Sequence, residues 1–130
     1  MTEKLQEKAI KAAEKFVAHR GYEVLDTNWS PEEGAAIDLV AMEDDAVVFI
    51  DVTARNDVSK SLPEEDAAGS RQRMEIAAAM WLSQHMDDER FVDATIRFDK
   101  IAMLVIGEDR ALLRHHINAL GSGDFADTAD

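Results

Sequence analysis

Two acidic side chains interrupt stretches that otherwise carry the pattern of buried strand. Asp38 stands in Ala35-Ala36-Ile37-Asp38-Leu39-Val40, and Asp51 in Val47-Val48-Phe49-Ile50-Asp51-Val52-Thr53. Between them, Met42-Glu43-Asp44-Asp45 is a polar break suited to a hairpin turn. Folding the chain about Asp44-Asp45 sets Glu43 against Ala46, Val40 against Phe49 and Asp38 against Asp51. Cross-strand neighbours on one face have Cβ atoms roughly 4.5–5.5 Å apart, and like charges so placed repel unless compensated. A hard divalent cation such as magnesium takes carboxylate oxygens, and is the compensator this pairing suggests. The opposite face pairs Ile37 with Val52, Leu39 with Ile50 and Ala41 with Val48, which is core surface. The plainer alternative is a polar strand face near a sheet edge, continued by Thr53 and Arg55.

The flanking chain supplies the elements that must hold this hairpin. Residues 3–20 carry Leu5, Ala9, Ala12, Ala13, Phe16 and Val17 as one stripe of an amphipathic helix, with Gly21 as its stop. Tyr22 to Leu25 reads as a short strand, and Thr27 to Gly34 as a loop containing Trp29 and Pro31. The hairpin strands cover about 35–42 and 46–54, and Arg55 to Pro63 is polar and loop-like. A helix over 64–86, regular from near Ser70, faces inward with Met74, Ala77, Ala78, Trp81 and Leu82. Residues 92–106 form a long strand bent at Asp99-Lys100, and Arg110 to Leu120 a final helix with Ala111, Leu112, Ile117 and Leu120 inward. Trp81 and Phe98 belong in the core, and Trp29 packs under the hairpin. The order α-β-β-β-α-β-α gives an α/β fold, a mixed sheet flanked by helices. Residues 1–120 make a single domain, and 121–130 an acidic, disordered tail.

Composition narrows the function classes. A chain of 130 residues without cysteine has neither disulfides nor thiolate metal sites. No apolar run approaches the ~20 residues of a membrane span, and the N-terminus does not resemble a signal peptide, so the expectation is a cytoplasmic protein with no membrane association. A net charge of −13 opposes binding to polyanions, whose recognition rests on phosphate neutralisation. Small basic clusters remain: Lys4, Lys8, Lys11 and Lys15 on the first helix, and Arg71 with Arg73 in the middle of the chain. Each reads equally as phosphate-contacting or as solvated surface, the lysines pairing with Glu3, Glu7 and Glu14. His115 and His116 are adjacent, point to different faces and make an improbable zinc site.

An acidic residue on one strand, followed on its hairpin partner by acidic-x-Lys, resembles the core of the PD-(D/E)XK nuclease superfamily. Further blocks follow in order: Arg20-Gly21-Tyr22-Glu23-Val24-Leu25, Asn28-Trp29, Ala36-Ile37-Asp38-Leu39-Val40-Ala41, Val47-Val48-Phe49-Ile50-Asp51-Val52, Arg73, Ala78-Ala79-Met80-Trp81-Leu82 and Arg97-Phe98-Asp99-Lys100-Ile101-Ala102. From about residue 9 to 120 the chain is similar to the YraN-type family of small endonuclease-like proteins. The resemblance implies a restriction-endonuclease-like fold, magnesium held by Asp38 and Asp51, and DNA or RNA as partner.

The departures fall where the chemistry belongs. The family's Gly-Glu-Ile-Asp is here Ala35-Ala36-Ile37-Asp38, and its Glu-Val-Lys is Asp51-Val52-Thr53. Thr53 therefore stands where a lysine would orient water and stabilise charge developing on phosphate. A glutamate of the family's first helix aligns with Ile10, with Glu14 one turn later as a substitute. Arg55 and Lys60 are the nearest residues able to supply positive charge and, with Arg71 and Arg73, are the candidate nucleic-acid contacts. The resemblance thus implies a nucleic-acid-binding nuclease relative with impaired or lost phosphodiester hydrolysis and weak magnesium affinity. The alternative is a non-catalytic protein-interaction module that keeps the fold.

Overall fold

The lysine-rich N-terminal stretch forms helix α1, Thr2–His19. It ends as its glycine requires: Gly21 sits at φ +97°, Tyr22 N–H donates to the Val17 carbonyl at 2.9 Å, and Gly21 N–H to that of Ala18 at 3.1 Å. This double bond satisfies helix carbonyls through a left-handed residue. A computed structural model of the chain describes residues 2–32, 35–55, 67–106 and 110–118. After α1 come β1 (Glu23–Glu32), β2 (Ala35–Glu43), β3 (Ala46–Arg55), α2 (Ala67–Ser83), a 3₁₀ turn at Glu89–Phe91, β4 (Thr95–Val105) and β5 (Ala111–His116). The strands lie in the order β1-β2-β3-β4-β5, antiparallel except for the parallel β3–β4 pair. The parallel pair needs a crossover connection, and α2 lies within it. The expected mixed sheet flanked by helices is what forms. Lys60 and the tail from 121 fall outside the described residues.

Both faces of the hairpin are covered, which is why β3 reads as nearly continuous apolar sequence. Leu39, Ala41, Val48, Ile50 and Val52 pack with Ala9, Ile10, Ala13 and Val17 of α1 and with Ile101 and Met103 of β4. On the other face Val40, Val47, Phe49 and Phe98 receive Met74, Ala77, Ala78 and Trp81 of α2, and Trp29 packs against that cluster. Two expected core positions change. Ala12 is exposed while Ile10 turns inward. Ile37 joins the α2-side cluster, away from Val52, because the β2–β3 ladder stops before reaching it.

The remaining differences have local causes. β1 runs on through Trp29 to Glu32 where the sequence suggests a loop. Register shifts at Val24/Asp26 and Trp29/Glu32, with Asn28 at φ 49°, absorb the irregularity, and β1 is an edge strand where Pro31 is tolerated. β4 is not bent at Asp99-Lys100; its pairing with β3 is continuous from Ala46–Thr95 to Arg55–Leu104. The final helix expected over Arg110 to Leu120 is instead strand β5, with Leu112 and Ile117 exposed rather than inward.

The partner that favours β5 as a strand is Asp99, fully buried on the α1 face. Its carboxylate accepts from Arg97 Nε and Nη2 at 2.9 and 3.0 Å, from His115 Nε2 at 2.7 Å and from the Asn118 N–H at 2.8 Å. Arg97 continues to Glu43 at 2.7 Å and to the Tyr22 hydroxyl at 2.7 Å, tying β2, β4 and β5 to the residue that leads into β1. The buried Nδ1 of His115 has no hydrogen-bond partner among the described residues. Burial would push the Asp99 carboxyl up, but the bonds from His115, Arg97 and the Asn118 N–H outweigh it and hold the carboxyl below its ordinary 3.8.

Removing this carboxylate leaves a guanidinium, an imidazole N–H and a backbone N–H inside the fold without their acceptor. Asp99→Ala is expected to lower the unfolding free energy by about 3–5 kcal/mol in urea titrations. A depressed native value means that the unfolded chain takes up the proton first. The stability Asp99 contributes is therefore complete above its ordinary 3.8 and declines as pH falls through that value towards the native one. Asp99→Asn should flatten this part of the acid-unfolding profile.

Candidate functional site

The hairpin keeps the symmetrical register from Glu43–Ala46 through Val40–Phe49 to Leu39–Ile50, and there its ladder ends. Asp38 is the first residue past that point. Its Oδ2 accepts the Val52 N–H at 2.8 Å, a donor that a continuing ladder would give to β2 backbone. The Val52 carbonyl is met by Gln6 Nε2 of α1, also at 2.8 Å. Side chains from β2 and α1 thus replace a neighbouring strand at the mouth of the hairpin. The one-to-one facing of Asp38 with Asp51 and of Ala36 with Thr53 is not part of the ladder, because the strands have parted. Asp38, Asp51 and Thr53 are all half-buried at this end.

The third wall is β4. In the parallel register Asp51 is the partner of Lys100, Thr53 of Ala102 and Arg55 of Leu104. Parallel partners project from the same face, and neighbouring strands lie roughly 4.8 Å apart. Lys100, half-buried, therefore stands beside Asp51 on the face that carries Phe49 and Phe98, with His116 as its β5 partner. Neither Lys100 nor Gln6 was picked out from sequence. Lys100 does carry the same signal as the two aspartates, a charge inside an apolar strand, but its neighbour follows from a β3–β4 pairing across nearly fifty residues.

The other expected residues distribute as follows. Arg55 is half-buried at the C-terminal end of β3, and Arg73 is exposed on α2; Arg71 lies on α2, with its side chain outside the described residues, as is Lys60. Ile10 is 4% exposed and packs in the core. Glu14 lines a shallow cleft with Glu7, Thr27 and Asn28. Among the described residues no group of three or more His, Cys, Asp or Glu side chains could hold a metal ion. One Asp38 oxygen accepts the Val52 N–H, and Lys100 is in register with Asp51.

Helix α1 also has a basic flank. Lys8, Lys11 and Lys15, three and four residues apart, line a groove of about 440 Å³ together with Arg110 at the start of β5. Its floor is apolar, formed in part by Ala9, Met103 and Val105. Glu7 and Glu14 border this flank, lining with Lys11 the neighbouring cleft towards Thr27 and Asn28 of β1.

A mixed α/β domain with carboxylates at the open end of its central hairpin is the class these observations define. The family model described as "Uncharacterised protein family UPF0102" matches residues 9–103, and the chain belongs to that family. It is similar to a UPF0102 protein of Renibacterium salmoninarum, 32% identical over 108 residues covering 82% of this chain and 86% of the relative. A UPF0102 protein of Agrobacterium fabrum is 35% identical over 106 residues, 80% of this chain and 78% of its own length. One from Chlorobaculum parvum is 32% identical over 104 residues, with the same two shares, 80% and 78%.

The Asp38–Val52 bond has a measurable consequence. Asp38→Ala leaves a partly buried N–H without an acceptor and is expected to cost about 1–3 kcal/mol of unfolding free energy. Asp38→Asn keeps an acceptor oxygen and should recover most of that loss, as read by urea denaturation of the three proteins.

Proposed function

We propose that this protein is a nuclease-fold domain that binds the phosphate backbone of nucleic acid and has lost efficient phosphodiester hydrolysis. The observation that carries the binding half is the groove beside α1. On a chain of net charge −13, it gathers Lys8, Lys11, Lys15 and Arg110 along a single flank. Such clustering gives a local cationic track within an otherwise repelling surface, the footprint that phosphate contacts require. The paired carboxylates at the hairpin mouth support descent from a hydrolytic ancestor. Thr53, Ala36 and Ile10 support the loss, since a lysine and two glutamates of the resembled pattern are missing together. Removing even one preorganised electrostatic group typically lowers rate by around 10²–10³. Membrane association has no support in the described residues, where no helix is long and apolar enough to cross a bilayer.

The apolar floor of the groove favours a second reading. A partner protein with an acidic, partly apolar segment would find both its charge and its apolar contacts met there, which is the interaction-module alternative. The two readings separate in fluorescence anisotropy with labelled single- and double-stranded DNA and RNA. Under the first, binding appears at low salt and weakens steeply as salt rises. Replacing Lys8, Lys11 and Lys15 by glutamine should reduce the log–log salt slope by about 2–3, each phosphate contact contributing roughly 0.7–0.9. Undetectable binding at low salt would leave the protein-interaction reading. Incubation of the same substrates with magnesium or manganese should give no Asp38-dependent cleavage.

A further inference from the structure

We propose that Lys100 takes the place of the divalent cation at the hairpin mouth, so that Asp51 is compensated from within the fold and the site has no use for a metal ion. The proposal rests on the reading of Asp38 and Asp51 as the site, and not on nucleic-acid binding by the groove. Two half-buried carboxylates at the mouth of one hairpin pose an electrostatic problem, and a bound cation is one solution. The fold supplies another. β3 and β4 run parallel with Asp51 and Lys100 as register partners, so an ammonium projects from the strand beside the carboxylate, on the same face. The Val52 N–H serves Asp38 at 2.8 Å, and Gln6 closes the Val52 carbonyl, so the mouth is already furnished with hydrogen-bond partners.

A lysine in this position acts twice. It attracts the Asp51 carboxylate, and it repels an incoming divalent ion with twice the strength it would show towards a monovalent one. The absent third ligand points the same way: where the resembled family has a glutamate, Ile10 packs into the α1 core at 4% exposure. The lysine thus weakens the hold of the hairpin mouth on a divalent cation approaching Asp51.

The test uses the full chain and the metal ions alone. Isothermal titration with magnesium and with manganese should give no saturable binding to the unmodified protein in the micromolar range. Lys100→Met should bind either ion at least ~10-fold more tightly, because removing a unit positive charge beside Asp51 favours a divalent ion strongly even when solvent screens it. Adding Asp51→Asn to Lys100→Met should abolish that gain, and Lys100→Arg should remain as indifferent to metal as the parent. Micromolar binding by the unmodified protein that requires Asp38 and Asp51 would overturn the proposal. So would a Lys100→Met protein that binds no better than its parent. If that variant does not fold, the Lys100 side chain is followed by NMR in the folded parent and in Asp51→Asn. A Lys100 ammonium signal that ignores Asp51→Asn would overturn the proposal as surely. Because no nucleic acid is present, failure here leaves the groove reading standing, and failure of oligonucleotide binding leaves this one standing.

Discussion

One hydrogen bond decides how the central hairpin ends. Had the Val52 N–H gone to β2 backbone, the ladder would have continued, Ile37 would have stayed on the α1 face, and the mouth would have closed as ordinary sheet. Its capture by the Asp38 carboxylate lets β2 and β3 part after Leu39–Ile50, at the end of the hairpin where Asp51 and its β4 register partner Lys100 lie. Gln6 reaches the same residue from α1, so the helix that covers one sheet face also closes the gap in the sheet itself. The arrangement replaces a backbone partner by two side chains, and buried backbone polar groups must have such partners somewhere.

A second polar knot lies on the opposite face of the sheet. Asp99 sits among four donors on the α1 face, and through Arg97 it reaches Glu43 and Tyr22. Polar groups buried this deeply are costly unless each is satisfied, and a satisfied network specifies a single arrangement of its elements. Here it fixes β5 against β4, and with it the position of His116 beside Lys100. The two knots lie on neighbouring residues of one strand facing opposite ways: Asp99 belongs to structure and Lys100 to the hairpin mouth.

Much of this was legible in the sequence wherever the interactions are local. The hairpin register followed from a two-residue turn and matched apolar alternation. Both helices followed from apolar stripes, and Gly21 marked the stop of α1. What escaped reading is long-range. The apolar residues of 110–120 fit a helical period, and only the open edge of β4 and the buried Asp99 make a strand preferable. Ile37 looked like a core partner of Val52 because nothing in the sequence announces that a carboxylate will take the next ladder donor. Lys100 was visible as a charge in an apolar strand, but its meaning depends on a parallel pairing that no short pattern encodes. What the fold adds is a lysine in register with Asp51.

The parting of the hairpin by Asp38 is read most directly by amide hydrogen exchange of Val52. Opening of the Val52 amide should cost about as much as that of the neighbouring ladder amides in the unmodified protein. In Asp38→Ala its protection should fall far more than theirs, by about 10-fold or beyond, since only its acceptor has been removed. A Val52 amide that exchanges freely in the unmodified protein, or one whose protection is unchanged by Asp38→Ala, would contradict the account.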